Sequence, residues 1–163
     1  MRNINIKSWP QAIAHLDADA FFVGVEQALH PELKGKSVIT GAERGMVIAL
    51  SYEAKACGVK RGMPVSEVTR ICPDCILLPT DYESCLLFSK RIFTILKQYT
   101  PCIEEYSIDE GFFDLTGTRR MHRKDYKEIA KDIQQTIYQE LGLSVSIGVS
   151  LSKSLAKLCS QLR

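Results

Sequence analysis

Three acidic residues are spaced to do chemistry. They are Asp17, in Ala14-His15-Leu16-Asp17-Ala18-Asp19, and the adjacent pair Asp109-Glu110, in Tyr106-Ser107-Ile108-Asp109-Glu110-Gly111. Asp17 ends an apolar stretch containing Ile13 and Leu16 that alternates poorly with polar residues, as a buried strand does. Asp109 and Glu110 fall between two β-favouring pieces, Cys102-Ile103 and Phe112-Phe113-Asp114-Leu115, with Gly111 directly after them, which predicts a hairpin. Carboxylates gathered at strand ends repel one another unless cations neutralise them. A hard divalent ion such as magnesium takes oxygen ligands, commonly one or two carboxylates plus substrate phosphates. The competing reading is three unrelated solvated acids at turns, and the flanking sequence decides between the two.

The elements that must position these acids follow from periodicity. A strand is predicted over 12–16, a helix over 20–29 stopped before Pro31, and a strand over 38–40. A turn with Gly41 and Gly45 leads to a strand over 46–50, short helices over 52–57 and 65–71, and a strand over 76–78. A long amphipathic helix is expected to start at Thr80, where Thr80 and Glu83 form a capping-box pattern, with a stripe of Leu86, Ile92, Phe93, Leu96 and Tyr99. After the hairpin, Tyr126, Ile129, Ile133, Ile137 and Leu141 mark a second amphipathic helix ending near Gly142. A strand through Val145, Ile147 and Val149 and a last helix from Ser152 complete the chain. Without 34–78 the order is strand, helix, hairpin, helix, strand, the α+β ferredoxin-like split βαβ arrangement with helices on one face of the sheet. That architecture alone implies no function.

Composition narrows the class. A chain of 163 residues, 45% hydrophobic and 25% charged, suits one domain or one domain with a small insertion, with a sizeable core. No apolar run reaches bilayer length, and the first seven residues lack an apolar signal core, so a cytoplasmic protein, nucleoid-associated if bacterial, is expected. A net charge of +2 does not by itself argue for nucleic acid. The cluster Arg119-Arg120-Met121-His122-Arg123-Lys124 is expected as a solvated loop before a helix, with phosphate contact as the alternative. Cys72-Pro73-Asp74-Cys75 has redox-motif spacing but follows a helix instead of opening one, and no second Cys pair or paired His accompanies it as a zinc site would need. His15, His30 and His122 are scattered along the chain. Two Ser-x-x-Lys strings, at Ser150 and Ser154, lack the companion motifs of penicillin-binding enzymes.

Six strings, in order, resemble one family. They are Leu16-Asp17-Ala18-Asp19-Ala20-Phe21-Phe22-Val23-Gly24-Val25-Glu26; Leu33-Lys34-Gly35-Lys36-Ser37-Val38; Ser51-Tyr52-Glu53-Ala54-Lys55; Gly58-Val59-Lys60-Arg61-Gly62-Met63-Pro64; Tyr106-Ser107-Ile108-Asp109-Glu110; and Ser146-Ile147-Gly148-Val149-Ser150 followed by Leu155-Ala156-Lys157-Leu158. Together they are similar to the Y-family translesion DNA polymerases. The resemblance implies a palm made of residues 1–33 and 80–163 and a fingers insertion over 34–79, with thumb and little finger outside this chain. It implies template-directed transfer of a nucleotide from a deoxynucleoside triphosphate to a primer 3′-hydroxyl in damage bypass. Primer-template DNA and the incoming nucleotide would be the partners, with a sliding clamp or other repair proteins engaged through the absent C-terminal region, and no membrane.

Residue roles follow from the same resemblance. Asp17, Asp109 and Glu110 would be catalytic ligands of two magnesium ions, for which manganese can substitute, with the Ala18 carbonyl as a backbone ligand. Asp19 opens the helix, where Asp is a favoured cap, so capping is expected in place of metal binding. Phe21 would stack under the sugar and Phe22 would be the steric gate against a 2′-hydroxyl. Successive helical residues point about 100° apart, so one ring can face the core and the other a cleft. Tyr52, Lys55 and Lys157 would bind the triphosphate. The family carries arginine where Lys55 stands, and lysine lacks arginine's planar fork, so looser binding is expected. Ala20 and Ala49 are also smaller or less polar than is common. Val38, Met46 and Gly62 match positions that roof the new base pair. Two other functions compete: a nucleotidyl cyclase on a similar palm, and a non-catalytic polymerase-like accessory module.

Overall fold

The computed structural model of the chain describes residues 11–162. The first ten residues of the expected palm, and Arg163, lie outside the described residues. The elements run β1 (Ile13–Ala18), α1 (Phe21–Leu29), β2 (Val38–Thr40), β3 (Ala49–Leu50), α2 (Tyr52–Ala56), α3 (Val65–Ile71) and β4 (Ile76–Leu78). They continue with α4 (Tyr82–Leu96), β5 (Ile103–Glu105), β6 (Glu110–Asp114), α5 (Arg119–His122), α6 (Tyr126–Leu141), β7 (Val145–Ser150) and α7 (Lys153–Gln161).

Strand β1 is central. It pairs antiparallel with β6 on one side and β7 on the other, and β5 extends the sheet beyond β6, giving the order β5-β6-β1-β7. This is the split βαβ order expected from sequence. Successive side chains on a strand point to opposite faces. Ala14, Leu16 and Ala18 therefore enter one core with Ile92, Phe93 and Leu96 of α4 and Ile129, Ile133 and Ile137 of α6. Burying each large aliphatic side chain contributes about 1.5–3 kcal/mol, so this alternation fixes which face of β1 meets the helices. His15 and Asp17 are left on the other face, where α7 lies against β7 and β1.

A second sheet, of order β3-β2-β4, has its own apolar cluster around Ile39, Val47, Ala54, Val59 and Val68. Val23 of α1 packs with Leu33, Val38 and Ala49 and ties the two sheets together.

Four local expectations are corrected. Helix α4 begins at Tyr82, capped by Asp81, whose carboxylate accepts the Ser84 N–H at 3.0 Å. The Thr80 N–H is instead donated to Glu43 at 3.1 Å, and its hydroxyl is buried without a partner. Leu86 is exposed while Cys85 and Phe88 are buried, because four consecutive apolar residues conceal the helical phase in the sequence. The strand expected over 46–50 shrinks to β3, since Val47 exchanges hydrogen bonds with the 62–63 turn (2.8 and 2.9 Å) in place of β2. The basic cluster is a one-turn helix, α5, closed by Arg123 at φ 55°.

Gly148 holds α7 to the sheet. A Cβ there would lie 2.2 Å from the Ala156 carbonyl oxygen and 2.3 Å from the Ser160 nitrogen, so only a hydrogen admits the helix backbone. Gly148→Ala is expected to destabilise the chain by about 1–3 kcal/mol, the scale of forced overpacking, and to lower its midpoint in urea unfolding. An unchanged midpoint would show that α7 moves away at little cost.

Candidate active site

The register of β1 assembles the acids. Asp17 stands directly opposite Glu110 on β6, and cross-strand partners share a face with their Cβ atoms about 4.5–5.5 Å apart. The Ala18 N–H donates to the Asp109 carbonyl at 2.9 Å, which fastens the end of β1 to the hairpin. Ser107 organises the turn itself. Its hydroxyl donates to Asp109 Oδ1 at 2.7 Å and accepts the Glu110 N–H at 3.2 Å. Burial, reinforced by the negative charges of Asp109 and Glu110, pushes the Asp17 carboxyl above the usual carboxylate range.

Glu110 already has cationic and polar company. Lys157 of α7 donates to both of its carboxylate oxygens, at 3.1 and 2.8 Å, and its ammonium lies 5.0 Å from the Tyr106 ring centroid. The hydrogen bond to Glu110 raises the Lys157 pKa. On the inner side, His15 is wholly buried, with Nε2 3.2 Å from Glu110 Oε2 and Nδ1 2.8 Å from Ser160 Oγ. Burial lowers the His15 pKa despite the neighbouring carboxylate, which favours the neutral ring. A carboxylate only accepts, so the proton is assigned to Nε2, leaving Nδ1 to accept from the Ser160 hydroxyl. That hydroxyl is also 2.8 Å from the Lys157 carbonyl, so one proton serves two acceptors.

Beside the acids lies a cavity of about 420 Å³ lined by Asp17, Ala18, Ala20, Phe21, Phe22, Tyr52, Lys55, Arg61 and Asp109, with 48–51 closing one wall. Its floor is the turn from β1 into α1. Ala20 there has φ 47°, in the left-handed region, where a non-glycine residue is strained by about 1–2 kcal/mol. The turn sends Phe21 into the core, 2% exposed, and leaves Phe22 half-buried at the cavity, with ring centroids 5.7 Å apart. Tyr82 of α4 supports the Phe22 ring edge-on at 6.0 Å.

The structure thus brings Asp17, Ala18, Asp109, Phe21, Phe22, Tyr52 and Lys55 to one cavity, with Glu110 on the adjoining sheet face. Lys157 does not line that cavity; it is held by Glu110, a different place from the one the resemblance implied. Asp19 does not cap α1: Ala20 holds the cap position without a side-chain bond, and the Asp19 carboxylate accepts the Ser146 hydroxyl at 3.1 Å. Val38 is wholly buried among Val23, Leu33 and Ala49, which corrects its placement against a base pair: no part of its side chain is exposed to meet one. Met46 is 48% exposed, and Gly62 has φ 81° in the turn bonded to Val47.

Three residues were missed in the sequence. Arg61 lines the cavity from the turn before Gly62. Ser107 was readable as a hydroxyl two residues before an Asp at a turn. His15 lies two residues before Asp17 and so shares its face. A larger concavity of about 840 Å³, lined by Arg119, Arg120, Arg123 and Lys124, sits beyond Asp114 at the opposite end of the sheet and contains none of the expected site residues. The Cys75 thiol, near Cys72, is pushed up to about 11 by burial, far from the thiolate form that redox or zinc chemistry uses.

The donor set at the acids suits a hard divalent ion, since Asp17 stands opposite Glu110 with Asp109 beside them and Glu110 has drawn in an ammonium. Among the described residues, no three His, Cys, Asp or Glu side chains converge closely enough to enclose an ion as they stand. Glu110 is turned to Lys157 and His15, and Asp109 to Ser107. Among the same residues no helix is long and apolar enough to cross a membrane.

Known proteins resemble the chain in sequence and fold. The chain is 47% identical over 104 residues to DNA polymerase IV of Opitutus terrae, covering 63% of this chain and 26% of that protein. It is 43% identical over 110 residues to DNA polymerase IV 1 of Bacillus subtilis, covering 65% of this chain and 27% of that protein. The chain therefore spans about a quarter of the length of these curated relatives. Its fold superposes on the insertion ternary complex of Dbh DNA polymerase with a TM-score of 0.81 at 32% identity, over 91% of this chain and 45% of that one. DinB from Sulfolobus solfataricus matches with a TM-score of 0.81 at 33% identity and the same coverage. The impB/mucB/samB family matches residues 16–161, from within β1 to the end of α7, and the chain belongs to that family, in keeping with its sequence resemblance to the Y-family polymerases.

Proposed function

We propose that this chain is the catalytic palm, residues 1–33 and 80–163, and the fingers, residues 34–79, of a template-directed DNA polymerase of the translesion type. The observation that carries the reading is one cavity lined together by Asp17, Asp109, Phe22, Tyr52, Lys55 and Arg61. Acid chemistry, a sugar-sized aromatic wall and phosphate-binding cations are thereby adjacent. In the proposed reaction the primer 3′-oxygen attacks the α-phosphorus of a deoxynucleoside triphosphate, pyrophosphate leaves, and the 3′-hydroxyl proton is lost.

Asp17, Asp109 and Glu110, with the Ala18 carbonyl, would hold two magnesium ions, or manganese in their place. Such ions supply charge neutralisation at the phosphates and lower the pKa of the attacking hydroxyl. The protein's own residues do the positioning. Ser107 orients Asp109, and His15 and Lys157 hold Glu110. Tyr52, Lys55 and Arg61 face the triphosphate, and Arg61 brings the two-pronged donor that Lys55 lacks. Phe22, braced by Tyr82, closes the space that a 2′-hydroxyl would need. Met46 and Gly62 border the base pair loosely. Template-dependent primer extension in magnesium by a polypeptide carrying this sequence tests the reading; formation of cyclic nucleotide without template would replace it with a cyclase.

Asp109→Ala and Glu110→Ala are each expected to lower incorporation at least about a hundredfold, the scale of losing a preorganised electrostatic group, while the fold is retained by circular dichroism. Activity above a few per cent of the parent's would remove the residue from the catalytic set. Phe22→Ala is expected to shift selectivity toward ribonucleotides by about tenfold or more, a typical range for small-group discrimination by a pocket; competition between the two nucleotides reads this directly. Arg61→Ala is expected to raise KM for the incoming nucleotide about tenfold, since a charge-assisted hydrogen bond contributes roughly 1.5–3 kcal/mol. Lys55→Arg should lower KM, and a rise with an intact fold would show a pocket shaped around lysine.

A further inference from the structure

One titratable residue at the site has no role in the chemistry above beyond holding a neighbour, and its surroundings are more specific than core packing needs. His15 has no exposed surface. Its ring is fixed on three sides. The Phe112 ring lies across it at 4.6 Å, tilted by 52°, and Ser160 Oγ stands 2.8 Å from Nδ1. Opposite it on β7 is Gly148, whose missing side chain admits the α7 backbone that carries Ser160. The remaining ring nitrogen, Nε2, meets Glu110 Oε2 at 3.2 Å.

Glu110 is thus held from two directions that are not equivalent. Lys157, a surface ammonium on a flexible stem, bonds both oxygens from the solvent side. His15 bonds one oxygen from inside the fold and is itself rigid. A divalent cation that takes Glu110 competes with Lys157 for its outer face, whereas the His15 contact lies on the inner side. Carboxylates that ligate metals are commonly oriented by such inner hydrogen bonds, and losing one costs about 10–100-fold in metal affinity or activity.

We propose that His15 is a positioning residue: its Nε2–H fixes the rotamer of Glu110, with Ser160 locking the ring, so that the carboxylate is presented outward for a divalent cation. The inference rests on the reading of Glu110 as a metal ligand. A histidine that merely fills a buried site makes a different forecast, and two substitutions separate them. A glutamine amide nitrogen reaches the place of Nε2 as a donor, and an asparagine amide oxygen can take the place of Nδ1 as an acceptor.

The experiment is manganese titration of the 163-residue chain, followed by electron paramagnetic resonance, for the parent, His15→Gln, His15→Asn and Glu110→Gln. Glu110→Gln is expected to weaken manganese binding. His15→Asn, which keeps the Ser160 side but loses the donor to Glu110, is expected to weaken it about tenfold, and His15→Gln to stay within about threefold of the parent. If Glu110→Gln leaves binding unchanged, the metal-ligand reading itself falls, and this inference with it. If Glu110→Gln weakens binding but His15→Asn does not, or both His15 variants fall together, only the positioning role is overturned. Should a variant not fold, nitrogen-15 histidine spectra of the parent decide: a proton on Nε2 whose signal shifts on adding magnesium supports the role, and a bare or unresponsive Nε2 overturns it.

Discussion

The double antiparallel pairing of β1 is the constraint from which the rest of the site follows. With β6 on one side and β7 on the other, β1 has no free edge, and its register is held by two ladders at once. A slip of one residue would turn every side chain to the other face. It would expose Ala14, Leu16 and Ala18 and bury Asp17 away from any partner, and the core against α4 and α6 excludes that. Packing on one face therefore sets the chemistry of the other. Asp17 faces Glu110 because Leu16 faces the helices.

Helix α7 adds a second layer to the same logic. Its backbone approaches β7 at Gly148 closely enough to exclude any side chain, and this places Lys157 and Ser160 over β1. The polar contacts around it join residues far apart in sequence: His15 with Ser160, His15 with Glu110, Lys157 with Glu110. In low dielectric the two His15 contacts count for more than a surface pair, and leaving one unmade costs more. The acid cluster is accordingly a place of stored electrostatic cost. Asp17 is pushed upward by burial and by its acidic neighbours, and the turn that follows holds Ala20 in a strained conformation. Sites that must bind cations concentrate like charge in this way.

The second sheet shows the opposite balance. Its strands are short, its cluster is small, and the turn around Gly62 is bonded to the 46–47 segment, leaving β2 to pair with β3 over only two residues. Val38 is withdrawn into packing, while Met46 stays exposed.

The strands, the long helices and the hairpin were legible in the sequence because alternation and helical periodicity are one-dimensional consequences of burial. The acids were legible because Asp17 and the Asp109-Glu110 pair stand at strand ends within diagnostic strings. Failures came where local signals were degenerate. Thr80 carried a capping pattern with Glu83, yet Asp81 caps α4 and the distant Glu43 takes the Thr80 N–H. Leu86 lay inside an apolar run with no readable phase. Asp19 was drawn away by Ser146, a residue 127 positions later. The partners of each side chain were decided by tertiary structure alone. His15 looked isolated until α7 folded over it; Lys157 stood at a phosphate-binding position in the motif and at Glu110 in the fold; Arg61 joined the cavity only where the fold brings its turn beside the end of β1. Periodicity records which face a residue occupies. What it meets there depends on contacts between elements far apart in the chain, and those follow from packing in three dimensions.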